Sequence, residues 1–81
     1  MGDSEGAPAR LVDGLEQVLR YGALLLRAGD AAFRVRAEMG GVASALGIEA
    51  LAVQVALGTL TASARRGAAA ATLVREVGHP G

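Results

Sequence analysis

Residues 42–57 read Val-Ala-Ser-Ala-Leu-Gly-Ile-Glu-Ala-Leu-Ala-Val-Gln-Val-Ala-Leu, and the spacing of apolar side chains changes inside them. Before Gly47, Val42, Ala43 and Leu46 continue a row that starts at Ala32, Val35 and Met39, the three-and-four spacing of one helix face. After Gly47 the period is two: Leu51, Val53, Val55 and Leu57 alternate with Ala50, Ala52, Gln54 and Ala56, the pattern of a half-buried strand. The chain therefore turns from helix to sheet at Gly47. That change predicts an α+β fold.

Towards the N-terminus, Leu11, Leu15, Val18, Leu19, Gly22, Leu25 and Leu26 form one apolar helix face from Arg10 onward. Asp13, Glu16, Arg20 and Arg27 fall opposite it, with Glu16 and Arg20 an i,i+4 pair in the favourable order. Ala28-Gly29-Asp30 punctuates: Gly29 suits the residue after a helix, and Asp30 is expected to cap the next one. Together these predict an antiparallel helical hairpin. Gly22, Gly40 and Gly41 each cost a helix about 1 kcal/mol relative to alanine. Turning the hairpin near Gly29 puts Leu19 opposite Gly40, so these glycines either let the helices approach closely or kink a weak helix. Residues 1–9, with Gly2, Ser4, Gly6 and Pro8, read as a disordered lead-in.

Towards the C-terminus, Gly58 marks a bulge or turn, and residues 59–64 form a second strand with Leu60, Ala62 and Ala64 on one side. Arg65-Arg66-Gly67 is expected to connect it to a third strand at residues 72–77. The alanines at 68–71 favour helix locally, so the start of that strand is open. Residues 78–81 read as a loose tail. The whole is one small domain over residues 10–77, a helical hairpin followed by a small antiparallel β-meander.

Composition narrows the function. Eighty-one residues suffice for one domain, which buries about 60–65% of the surface of its unfolded chain. With 52% hydrophobic and 2% aromatic residues, its core must be built from Ala, Val and Leu. Eight basic residues, all arginine, balance eight acidic ones, which argues against nucleic acid as a partner. The lack of cysteine excludes disulfides and thiolate sites. The first nine residues carry Asp3 and Glu5 and no basic side chain, unlike a secretory signal. No stretch approaches the roughly 20 apolar residues of a membrane span.

No catalytic arrangement emerges either. The one histidine, His79, stands beside Pro80 near the chain end, where a solvated tail residue is a better reading than a metal ligand. Thr59, Thr61 and Ser63 line one strand face, but a nucleophile needs a base beside it and none is near in sequence. A row of cross-strand hydroxyls is the simpler reading. Arg34 and Glu38 form an i,i+4 pair in the less favourable order. Tyr21 and Leu24 lie off the main stripe of the first helix, a second apolar face for either the sheet or a partner. Neither an enzymatic activity nor a cofactor is expected.

The run Leu19-Arg20-Tyr21-Gly22-Ala23-Leu24-Leu25-Leu26-Arg27-Ala28-Gly29, then Phe33-Arg34-Val35, Met39 and Val42-Ala43-Ser44-Ala45-Leu46-Gly47, resembles the soluble N-terminal region of the threonine/serine exporter family. Residues 53–63 and 72–77 resemble the two β segments that follow there, so the likeness spans residues 10–77. The chain departs from the family pattern at Arg36, where an acid is usual, at Ala56-Leu57 in place of Pro-Thr, and at Asp30-Ala31-Ala32 in place of a Ser/Thr-rich turn. The resemblance implies a cytoplasmic segment of a bacterial inner-membrane transporter, here a truncated or split piece of it. It would assemble with a membrane-spanning region of the same or a companion chain, or with further copies of itself. Gly22, Gly29, Val35 and Gly47 would be structural motif residues, Arg34, Glu38 and Ser63 the candidate polar contacts, and Tyr21 and Leu24 the partner interface. The alternative is a free-standing interaction or dimerisation module without a transport role.

Overall fold

The computed structural model describes residues 2–77, with side chains from residue 9 onward. Two helices, α1 (Gly2–Arg27) and α2 (Ala32–Ala45), precede three strands, β1 (Ala50–Ala56), β2 (Thr59–Arg66) and β3 (Ala69–Glu76). The strands make one antiparallel sheet in the order β1-β2-β3. Both helices cover the same face of it, α1 over β2 and β3 and α2 beside β1. The fold is α+β, as the change of period at Gly47 predicts. The expected tail at residues 78–81 lies outside the described residues.

α1 starts at Gly2 rather than Arg10, so the helix takes in most of the stretch expected to be a disordered lead-in. In the sequence, the acidic Asp3 and Glu5 are a signal for a helix start. Gly2, Gly6 and Pro8 mask that signal in the sequence. The expected stripe is buried through Leu11, Leu15, Val18 and Leu19, and Ala23 joins it. Leu25 and Leu26 pack against its edge.

The turn after α1 is held by its backbone. Gly29 adopts φ +93°, and the N–H groups of Gly29 and Asp30 donate to the carbonyls of Leu26 and Leu25 at 3.0 and 3.1 Å. Carbonyls left over at the helix end thereby find donors, at the one residue type that takes this φ without strain. Asp30 does not cap α2. The capping position falls one residue later, on Ala31, which offers no side-chain bond, so the carboxylate lies outside the geometry a cap requires.

α2 buries Val35, Met39 and Ala43 and ends just before Gly47, which has φ +81°. Of the three glycines expected to allow close approach of the helices, Gly22 does so and Gly40 and Gly41 do not. A Cβ built on Gly22 would overlap the Met39 sulfur, whereas Gly40 and Gly41 face open space. Met39, one residue before Gly40, points at α1, so the register is set by the thioether resting on bare backbone. α2 continues unbroken through both glycines.

In the sheet, Leu51 pairs with Ala64, Val53 with Ala62, and Ala62 with Leu73. β2 is flanked on both sides, so Leu60, Ala62 and Ala64 are fully covered by α1, whereas the inner rows of β1 and β3 are half-buried. Leu57 does not extend the β1 row. It is 95% exposed in the two-residue turn it forms with Gly58. Arg65 and Arg66 belong to β2, and the next turn is Gly67-Ala68. β3 begins at Ala69, inside the alanine run, because pairing with β2 and cover from α1 outweigh the local helical preference.

Candidate functional site

The residues singled out on the helices separate into two groups. Gly22, Gly29, Val35 and Gly47 are all structural: Gly22 seats Met39, Val35 is fully buried, and the other two end helices. Tyr21, Leu24, Arg34 and Glu38 lie on the outer side of the hairpin, away from the sheet. The Tyr21 hydroxyl donates to Oε1 of Glu38 at 3.0 Å and ties α1 to α2. Glu38 thus bonds to the tyrosine of α1, a partner that its i,i+4 spacing from Arg34 does not point to. The bond to the Glu38 carboxylate, and then its negative charge, hold the Tyr21 hydroxyl above its ordinary pKa, while Arg34 acts weakly the other way.

Of the two readings for the second apolar face of α1, contact with the sheet is removed. Tyr21 is spent on α2, and Leu24 is 57% exposed at the end of a shallow, open groove shared with Gln17 and Arg20. A leucine so placed gains little from its own fold.

Ser63 lies on the open face of the sheet. Its Oγ is 2.9 Å from Oγ1 of Thr72, the residue directly opposite it on β3. A hydroxyl bonded to another hydroxyl lacks the base a nucleophile needs, and this pair is the cross-strand ladder the alternating Thr and Ser suggest. The cross-strand partner could not be named from sequence, because the start of β3 is ambiguous among the alanines. His79 lies outside the described residues. Among the described residues no group of three or more His, Asp or Glu side chains comes together in a metal-binding arrangement.

Three features have no counterpart in the sequence analysis. Glu49 accepts a hydrogen bond from the Gly67 N–H at 3.1 Å and fastens the β2–β3 turn to the start of β1. The guanidinium of Arg66 lies within van der Waals reach of where a Cβ on Gly47 would stand, with its Cζ 3.5 Å from that point. Arg75 falls on the inner row of β3, half-buried, with its Nε enclosed and unpaired. The expected strand at residues 72–77 already carries this signal, since alternation puts Arg75 on the same face as Leu73 and Val77, which pack against the core.

No family model matches this chain, and neither does any curated protein or solved structure. Among the described residues no helix is long and apolar enough to cross a membrane.

Proposed function

We propose that this chain is a non-catalytic N-terminal domain, or a fragment of that domain, of a threonine/serine exporter-like membrane transporter, acting in assembly or regulation of amino-acid efflux on the cytoplasmic side of a bacterial inner membrane. The observation that carries the reading is the role of the residues behind the resemblance. Gly22 and Met39 interlock the two helices, and Gly29 and Gly47 end them in left-handed conformations. The matching positions therefore form one packed hairpin, which is what a shared structural motif requires. The partner reading of Leu24 agrees with its exposure.

The test uses the full chain, tagged in its native host, with membranes solubilised in mild detergent. The reading expects co-purification with a polytopic membrane protein, a change in threonine efflux when the gene is deleted, and loss of co-purification in Leu24→Glu with the helical signal intact. Recovery only in the membrane-free fraction, with unchanged efflux, overturns it. A second reading, a free-standing interaction or dimerisation module, draws its support from the open sheet edge at β1.

A further inference from the structure

The two edges of the sheet differ, and two backbone hydrogen bonds show how. The Glu49 N–H donates to the Arg65 carbonyl, so Arg65 addresses β1, while the Val77 N–H donates to the Gly58 carbonyl, so Gly58 addresses β3. Backbone groups along an antiparallel strand alternate in direction. Hence Thr59, Thr61, Ser63 and Arg65 bond to their β1 partners Ala56, Gln54, Ala52 and Ala50. Leu51, Val53 and Val55 are left with their N–H and C=O groups aimed out of the sheet. These are also the three residues whose apolar side chains lie on the inner face, only half-buried.

At β3 the same reasoning turns Ala70, Thr72, Val74 and Glu76 outward, residues whose side chains stand on the opposite, open face. That edge ends in Arg75 and Glu76; both edge strands have a helix on their inner face, α1 at β3 and α2 at β1, so it is charge that sets the two edges apart. Free sheet edges are normally blunted by charge, proline or a covering element. Residues 51–55 of β1 carry no charge and no proline. Its edge is the unprotected one.

We propose that a second copy of this chain adds antiparallel to β1, about a two-fold axis at Val53, to make one continuous six-stranded sheet. The sequence Ala-Leu-Ala-Val-Gln-Val-Ala is nearly symmetric about Val53. In this register Val53 meets its own copy, Leu51 meets Val55, Ala52 meets Gln54 and Ala50 meets Ala56. All the outward backbone groups of Leu51, Val53 and Val55 then find partners in phase, and every large inner side chain meets another large one. An isologous contact needs this self-complementarity, and a zero formal net charge does not oppose it. The contact strip is about 24 Å long for seven strand residues, and the molecule is 15 to 19 Å across in its two short directions. That gives about 800 Å² in total, below the size of standard stable interfaces, so the dimer is weak and concentration-dependent.

The test is sedimentation equilibrium of the full chain up to about 1 mM, since an interface of this size implies dissociation in the micromolar to millimolar range. Ala52→Lys with Gln54→Lys places lysines opposite each other twice across the axis, on the exposed face where the fold is not at risk, and should weaken the dimer at least about tenfold. Ala52→Lys with Gln54→Glu places opposite charges there and should restore it to within about threefold of the parent. Circular dichroism melts of both variants should match the parent. A parent that stays monomeric throughout, including one that takes up strands only from other proteins, overturns the proposal. So does a dimer indifferent to the lysine pair.

Discussion

Replacing Gly22 with alanine isolates the packing of the hairpin, because a matched control exists in α2. Gly41 is also a helical glycine, but nothing lies within 4 Å of the position its Cβ would take. Alanine there should stabilise by about 1 kcal/mol, the difference in helix propensity. At Gly22 the same gain applies, yet the new methyl group would collide with the Met39 sulfur and lie 3.0 Å from both Cγ and Cε. Met39 is completely enclosed, so its side chain cannot swing into solvent. Overpacking of this kind costs about 1–3 kcal/mol. The propensity gain is common to both variants, so Gly22→Ala should lie about 1–3 kcal/mol below Gly41→Ala. For a domain of this size each kcal/mol moves Tm by about 4–8 °C. The assay is thermal unfolding followed by circular dichroism at low concentration. The expected result is a rise for Gly41→Ala and a level or lowered Tm for Gly22→Ala, at least about 4 °C beneath it. Equal rises in both would refute the reasoning, because they would mean that Met39 does not rest on Gly22.

The single tyrosine allows its hydroxyl to be titrated alone by ultraviolet absorbance. Its midpoint should lie above the usual value and fall back towards it in Glu38→Gln; a midpoint indifferent to that change would deny the bond. Since the folded pKa is raised above the unfolded one, the stabilisation is present in full at neutral pH. It is lost only as pH climbs past about 10 and through the folded value. Leu19→Asp should unfold the chain at 25 °C, because an unpaired buried carboxylate costs several kcal/mol against a total of about 4–12 kcal/mol for a domain of this length. A native-like melt would show that Leu19 is not in the seam between helices and sheet.

Much of the fold is legible because burial period and backbone chemistry agree. The stripe through Leu11, Leu15, Val18 and Leu19 is a helix face in sequence and in space. Residues 51–55 alternate as a strand must, and Gly29 and Gly47 end helices where a left-handed φ is needed. These are local properties, set by each residue's neighbours along the chain. Less was legible where the signal was weak or mixed. The acidic start of α1 was outweighed by glycine and proline, Asp30 missed the capping position by one residue, and the alanines of β3 carry no periodicity of their own.

The candidate surface follows the same division. Sequence alone sets Tyr21 and Leu24 apart from the apolar stripe of α1 and shows that residues 50–56 lack charge. It could not say that Tyr21 would be taken up by Glu38 on α2 or that Leu24 would stay exposed. Nor could it say which glycine meets Met39, since that depends on the axial offset between two helices and is settled only when side-chain volumes interlock. The direction of the free backbone groups on β1 depends on the pairing phase of all three strands, a property of the assembled sheet. Local periodicity determined which elements form, while their offsets, partners and open edges were decided by packing between residues far apart in the chain.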